Sequence, residues 1–389
     1  MKITSVNVFL LDTGTSTRPI ICRVNTDKGL YGYGEASVSF SAGAPAAYAM
    51  IREMARYIIG MNPLYHEQVW DRMYQESFWG PGGGLIVYAG MSAIDMALWD
   101  IKGKAYHVPV YELLGGKQRP ALRSYASQLQ FGWGTSGYEE LGSTEDYVAA
   151  ANAAVAEGFD AVKFNFLTFD KDAKRIGKIS GPCQNWILET VEERVAAVRE
   201  AVGPEVDIIM ENHGYTDLIS AMQIGKIGEK YRVFFMEEAA TPMNIPVMSE
   251  IQSRLSVPLA GGERVYGCFH YNEYFQANAL RIAQPDLGTC GGITEGKKIC
   301  DLARCYDVTV QTHVCGSPIV TTASLHLEAA ITNFVIREWH VQNRFPFYTR
   351  FGKYDYVPVN GYCEIPDLPG FGQELSDYAL EHAKVTTIQ

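Results

Sequence analysis

The stretches Ile208–Gly214 (IIMENHG), Phe234–Ala239 (FFMEEA) and Leu259–Arg264 (LAGGER) share one plan: an apolar run closes on a glutamate and polar or glycine-bearing sequence follows. Their glutamates, Glu211, Glu237 and Glu263, stand 26 residues apart. The rhythm continues through Asp286 in IAQPDLG, His313 in VTVQTHV and Glu338 in FVIREWH, at steps of 23, 27 and 25 residues. A strand, a loop, a helix and a return loop need roughly this length of chain. Each polar group therefore reads as the end of one strand in a parallel series. A (β/α) barrel gathers all such ends on one rim, where barrel enzymes keep their chemistry. Solvent-facing acids have no reason to keep step with apolar strands, so a set of unrelated surface residues is the weaker reading.

Working outward, the barrel strands are expected at Arg123–Ser127, Ala161–Asn165, Asp207–Glu211, Val233–Glu237, Pro258–Gly261, Leu280–Gln284, Val308–Thr312 and Asn333–Arg337. Helical segments such as Ser143–Gly158 and Trp186–Gly203 lie between them, and Ser143 with Asp146 forms an N-terminal cap signal. The first 120 residues lack the rhythm. They alternate as short strands (Ile3–Asp12, Ile20–Asp27, Leu30–Ala36) and then turn helical (Ala46–Gly60, Gly90–His107), which predicts an α+β domain. The expected organisation is 1–120 for this domain, 121–360 for the barrel, and 361–389 for a Pro- and Gly-rich segment that returns to the first domain. Two connections, Phe166–Asn185 and Pro81–Gly84, read as lids or subunit contacts. The GLYGYGEA run at Gly29–Ala36 lacks the full G-x-G-x-x-G spacing and reads as a turn and strand rather than a dinucleotide cradle.

Composition narrows the function. The chain has 389 residues, 47% of them apolar, enough for a large core. No apolar stretch approaches the ~18 residues of a membrane span. The net charge of −11 argues against nucleic acid and anionic membranes as partners. It leaves room for an anionic substrate, because a bound cation reverses the local field. Eight cysteines without C-x-x-C pairs fit reduced thiols of a cytoplasmic protein.

Three carboxylates without paired His or Cys ligands predict a hard-oxygen metal site at Glu211, Glu237 and Glu263. Mg²⁺ is the natural occupant and Mn²⁺ a possible substitute. His313, with Asp286 ending the preceding strand, is the expected general base, since a carboxylate fixes and strengthens an imidazole. His213 lies two residues after Glu211 and would share its face, and Lys163 and Asn165 share the same relation on the second strand. Lys163 is expected to bind a substrate oxyanion. Trp339 and His340, beside Glu338, are candidates for substrate contact.

The chain resembles the enolase superfamily and its mandelate racemase-like branch over nearly its whole length. The resemblance is carried by Ser92–Gly116 (SAIDMALWDIKGKAYHVPVYELLGG), Glu237–Glu238, Pro258–Arg264 (PLAGGER), Ala283–Glu295 (AQPDLGTCGGITE) and Arg337–His340 (REWH). It implies an α+β capping domain on a modified (β/α)7β TIM-type barrel. It also implies Mg²⁺ on Glu211, Glu237 and Glu263, an Asp286–His313 dyad, and Glu338 hydrogen-bonded to the substrate carboxylate or enediolate. Three departures narrow the subgroup: the first ligand is Glu211 where the family commonly has Asp, Ala239 stands where Pro is frequent, and Lys163-Phe164-Asn165 replaces Lys-x-Lys. Asn cannot serve as a base. Lys-x-Asn together with a ligand-x-His is similar to the galactonate dehydratase-type acid-sugar dehydratases.

The expected reaction is β-elimination of water from an aldonic acid of galactonate or gluconate type. His313 would remove the C2 proton, His213 would protonate the departing C3 hydroxyl, and the product would be a 2-keto-3-deoxy sugar acid. The alternatives are an epimerase, racemase or cycloisomerase at the carbon beside the carboxylate, or a barrel that binds sugar acids without turning them over. The expected protein is a cytoplasmic homo-oligomer whose partner is the small sugar acid alone.

Overall fold

The alternating N-terminal segments fold as an antiparallel sheet of β1 (Ile3–Leu10), β2 (Ile20–Thr26) and β3 (Tyr31–Ala36) in the computed structural model, which describes residues 1–389. Helices α1 (Gly43–Ile58), α2 (His66–Glu76) and α3 (Leu85–Tyr106) follow. In α1 the buried residues Ala47, Ile51, Met54, Ala55 and Ile58 recur at three- and four-residue spacing, so one stripe faces the core. Helix α3 is buried without a break from Tyr88 to Ile101, because it is wedged between this sheet and the barrel. The glycines of the GLYGYGEA run serve that wedge. A Cβ on Gly32 or Gly34 would fall 2.1 or 2.0 Å from the carbonyl oxygens of Ala97 and Ala93, so only glycine lets β3 and α3 approach this closely.

A short α4 (Val110–Leu113) leads into the barrel. Its strands are β4 (Ala121–Ser127), β5 (Ala161–Phe164), β6 (Asp207–Glu211), β7 (Phe235–Glu237), β8 (Leu259–Gly261), β9 (Ile282–Ala283), β10 (Thr309–Val310) and β11 (Arg337–His340). Successive strands pair in parallel, β11 pairs β4, and a bridge between Val310 and Phe334 completes the ring. The last strand was expected at Asn333–Arg337. Residues 333–335 instead bond to Val310, and the regular ladder with β4 begins at Arg337. Tyr125, Ala161, Ile209, Phe235, Ala260, Ile282 and Ile336 fill the interior below the rim. Helices α5 (Thr144–Ala156), α6 (Asn185–Val202), α7 (Leu218–Lys230), α8 (Ile245–Arg254), α9 (Gly267–Gln276), α10 (Gly292–Cys305) and α11 (Pro318–Ala330) wrap the outside over a continuous apolar layer. Ser143 and Asp146 form the full capping box on α5. No helix is long and apolar enough to cross a membrane.

Beyond the ring, β12 (Tyr362–Glu364) pairs β4 antiparallel and β13 (Lys384–Ile388) pairs β1, so the chain's end lies on the N-terminal sheet. The Phe166–Asn185 connection is pinned at its base. The guanidinium of buried Arg194 donates to the carbonyls of Phe166 (3.0 Å), Phe169 (2.6 Å), Asp170 (3.0 Å) and Gly142 (2.5 Å), while Ile179 N–H donates to Tyr215 O at 2.8 Å. Gly83, in the Pro81–Gly84 loop, lies against the ring of Tyr266, which follows the β8 rim segment.

Candidate active site

Strand alternation decides what faces the rim. Glu211 and Glu237 are register partners on β6 and β7, so their side chains leave the sheet side by side. Lys163 projects beneath them from β5 and is 1% exposed. Its Nζ lies 2.9 and 3.0 Å from the Glu237 oxygens, 2.9 Å from Glu338 Oε1 and 3.3 Å from Glu211 Oε2. Burial opposes its charge, but these three carboxylates hold its pKa well above the usual lysine value. Lys163 is thus an ammonium at the centre of an acidic cluster.

The acids divide by their partners. Glu237 also accepts from Gln284 Nε2 at 2.8 Å, and burial pushes it up to about 7. Glu338 accepts from Ser127 Oγ at 2.5 Å and from the Val314 N–H at 2.9 Å; burial is overcome by Lys163 and His313, which hold it well below the usual carboxylate range. Glu211 accepts from Gln128 Nε2 at 2.5 Å through one oxygen, while its Oε1 is buried with no hydrogen-bond donor. Burial raises the Glu211 pKa despite Lys163. Glu263, opposed by burial, is lowered by His313, His213 and Arg264 around it.

One donor atom from each of Glu211, His213 and Glu263 lies within 4.8 Å of the others. A buried carboxylate oxygen without a donor, inside such a grouping of hard donors, fits a divalent cation. Glu237, expected as the third ligand, borders the grouping through Lys163, and its oxygens are engaged by Lys163 and Gln284.

The two imidazoles differ. His313 Nδ1 lies 2.7 Å from Asp286 Oδ2, whose other oxygen accepts from the Gly288 N–H at 2.7 Å, and His313 Nε2 faces Glu263 at 3.3 Å. Burial lowers its pKa, but Glu263 and the Asp286 bond outweigh that and raise it well above the usual value. His213 Nε2 faces Glu211 Oε1 at 3.4 Å, its Nδ1 lies 2.9 Å from Asn165 Nδ2, and burial lowers its pKa to about 4. Asn165 thus sits within the cluster through His213.

On β11, Glu338 and His340 point inward and Trp339 outward. Trp339 lies in the apolar layer between strands and helices, beside a cavity of about 30 Å³ shared with Pro318 and Tyr348. Its expected contact with substrate is therefore replaced by packing. His340 accepts the Gln342 N–H on Nδ1 at 3.1 Å, and burial holds its pKa down to about 3.

Sequence reasoning passed over Gln128, Gln284, Glu238 and Arg264. Glu238 is buried with no hydrogen-bond donor on either oxygen, at a backbone φ of +43°. Arg264 lies 3.1 Å from it, 3.0 Å from Glu263, and donates to the His213 carbonyl at 3.2 Å. Adjacency to the expected ligands Glu237 and Glu263 was the available signal for the last two. Gln128 and Gln284 carried none. Together the site can hold a cation, take a proton on His313 and offer a second imidazole, His213, beside the same Glu263.

Comparison with known proteins agrees with this architecture. Residues 146–379 match the family model of the enolase C-terminal domain-like fold, and residues 7–115 match the mandelate racemase/muconate lactonizing enzyme N-terminal domain. A D-galactonate dehydratase of Ralstonia pickettii (strain 12J) is 31% identical over 99% of this chain and 95% of its own. A solved member of the enolase superfamily from Salmonella Typhimurium superposes with a TM-score of 0.98 at 45% identity, covering 100% of both chains. The 3,6-anhydro-D-galactonate cycloisomerase of Zobellia galactanivorans has a TM-score of 0.84 at 26% identity, covering 99% of this chain and 100% of its own. With family models matching both parts of its length and a barrel that carries the acidic rim, this chain belongs to the enolase superfamily, in its mandelate racemase/muconate lactonizing enzyme branch.

Proposed function

We propose that the protein is a Mg²⁺-dependent dehydratase of a sugar acid, of the galactonate or gluconate kind, forming a 2-keto-3-deoxy acid. The observation that carries this reading is the unequal equipment of the two imidazoles: His313 is backed by the Asp286 carboxylate and His213 by the Asn165 amide, while Lys163 is tied to three acids. That arrangement favours removal of one proton over its exchange between two faces of a carbon. The relation to a D-galactonate dehydratase supports the same class.

In this reading Glu211, Glu237 and Glu263 would hold the cation, with Mn²⁺ able to replace Mg²⁺. When bound, the ion supplies positive charge for the substrate carboxylate and for the enediolate that forms when the adjacent proton leaves. Glu338, kept anionic by Lys163 and by two donors, orients the carboxylate end. His313 takes the C2 proton, and Asp286 stabilises the imidazolium that results. His213 assists departure of the C3 hydroxyl. His340, on the same face of β11 as Glu338, would be a further substrate contact. General acid–base assistance contributes roughly 10²–10⁴-fold per group.

A panel of aldonic and aldaric acids, incubated with the Mg²⁺-loaded protein and read with semicarbazide, tests the proposal. At least one acid should give a keto acid that the His313→Asn variant does not make. A product of unchanged mass would point to epimerisation, and no product from any acid would remove the dehydratase reading.

A further inference from the structure

The segment that carries His313 is not held by the barrel ladder. The Gln311 N–H donates to the Ala283 carbonyl at 3.1 Å, and from Thr312 to Gly316 no residue makes a backbone–backbone hydrogen bond. Side chains hold this stretch instead. The Gln311 amide donates to the Thr312 carbonyl, the Val314 N–H donates to Glu338 Oε2 at 2.9 Å, and the Thr312 hydroxyl donates to Glu328 Oε1. Glu328 belongs to α11, whose residues from Ile319 to Ala330 are all buried, so it offers the segment a fixed point.

The other oxygen of Glu328 serves β11. Oε2 is paired with Arg337 Nη1, and Arg337 Nη2 donates to the Thr321 carbonyl on the same helix at 2.9 Å. Thr312, Glu328 and Arg337 are each 0% exposed. Thr312 precedes His313, and Arg337 precedes Glu338. Alternation along β11 turns Arg337 out to α11 while Glu338 points inward. The Thr312 side chain likewise meets α11, while His313 meets Asp286 at 2.7 Å. One carboxylate therefore grips, from behind, the neighbour of each of two rim groups.

Stability does not account for this arrangement, because an apolar set of similar volume often replaces a buried ion pair at no cost. Two hydrogen-bonded partners on one carboxylate do fix geometry, since such bonds weaken steeply outside a narrow range of length and angle. We infer that Glu328 is a positioning residue that sets the placement of His313 relative to Glu338 through Thr312 and Arg337. The kinetic consequence rests on the dehydratase reading. There Glu338 orients the substrate carboxylate and His313 takes the proton from the adjacent carbon, so their spacing decides whether the imidazole reaches that proton. A displacement of about 1 Å can cost about 10²-fold in rate.

Thr312→Val set against Thr312→Ser makes the test: valine nearly keeps the shape and drops the hydroxyl, whereas serine keeps the hydroxyl. Thr312→Ala repeats the loss should valine not fit. In the substrate-free protein, hydrogen exchange of the Val314 amide, followed by NMR, reports how firmly the His313 segment sits on Glu338. Exchange should be at least tenfold faster in Thr312→Val than in the wild type, and within threefold of it in Thr312→Ser. Arg337→Lys, which loosens the other end of the bridge, should also speed it. With Mg²⁺ and a sugar acid that the wild type dehydrates, Thr312→Val should lose at least tenfold in kcat with KM changed less than threefold, and Thr312→Ser should recover most of kcat. Wild-type Val314 exchange in Thr312→Val or Arg337→Lys overturns the inference. So does a Thr312→Val enzyme that melts lower yet keeps wild-type kcat, or an equal loss of kcat in valine and serine variants. If no sugar acid is turned over while Val314 exchange responds as expected, the dehydratase reading fails and the bridge through Glu328 stands.

Discussion

The protein buries carboxylates both where the N-terminal domain meets the barrel and at the barrel rim. At the junction, Glu35 accepts the Ser317 N–H at 2.8 Å, the Ser317 hydroxyl at 2.6 Å and the Val320 N–H at 3.1 Å, at the start of α11. Asp95 accepts the Thr294 N–H at 3.0 Å and its hydroxyl at 2.5 Å, at the start of α10. These acids complete helix ends that would otherwise hide unpaired donors. At the rim, Glu211 leaves one oxygen without a donor, and Glu238 has no aligned hydrogen bond but an ion pair with Arg264 at 3.1 Å. The difference teaches what each set is for. Satisfied acids fasten two domains together, whereas the donorless oxygen of Glu211 fits the proposed cation site.

Substitutions should separate the two sets, and the largest effect belongs to the rim. Glu263→Gln should lower kcat/KM by about 10³-fold or more, since several kcal/mol of charge stabilisation depends on the cation it would hold. Calorimetry should show Mg²⁺ binding weakened in parallel, while melting without added metal stays level or rises. A variant that melts far lower yet binds Mg²⁺ normally would erase the distinction. At the junction the pattern should reverse. Glu35→Ala leaves buried donors unpaired and should cost about 3 kcal/mol in urea unfolding, with kcat of the folded enzyme changed less than about tenfold.

Acid should act on the junction through His326. This buried ring accepts the Tyr111 N–H on Nδ1 at 3.3 Å and donates from Nε2 to the Phe371 carbonyl at 3.0 Å, so it fits only uncharged. Burial lowers its pKa to about 4 from the ordinary 6.5. The unfolded chain therefore takes up this proton first. The ring's contribution to stability is full above pH 6.5 and is lost as pH falls towards 4. His326→Gln should flatten the stability slope in that window by up to about 1.4 kcal/mol per pH unit. An unchanged slope would assign the acid sensitivity to other groups. The smallest effect is expected at Gln128, which supplies the one side-chain amide donor to Glu211. Gln128→Met should weaken Mg²⁺ binding by about tenfold, the usual scale for a group that orients a ligand.

The barrel was legible because a repeated apolar run with a polar end is a local pattern, and Glu211, Glu237, Glu263, Asp286, His313 and Glu338 all close such runs. What stayed hidden depended on geometry between strands. Whether Lys163 would reach a substrate or three acids turns on its distance to β7 and β11, which no spacing states. Trp339 is instructive in the other direction: its place beside Glu338 suggested substrate contact, but strand alternation with Glu338 and His340 puts it on the outer face. Glu238 and Arg264 stood in plain sight as neighbours of expected ligands, but a backbone at positive φ, not a sequence period, turns Glu238 towards Arg264.

The central claim, that one imidazole abstracts the proton while the other assists departure of the hydroxyl, is tested most directly by deuterium exchange at C2. A sugar acid turned over by the wild type is incubated in D₂O with the Mg²⁺-loaded His313→Asn and His213→Asn variants, and NMR follows both the C2 proton and the keto acid. His313→Asn should lose exchange and dehydration together, because the enediolate never forms. His213→Asn should lose most dehydration and retain C2 exchange. Exchange kept by His313→Asn and lost by His213→Asn would reverse the two roles, and full dehydration in both variants would contradict the account.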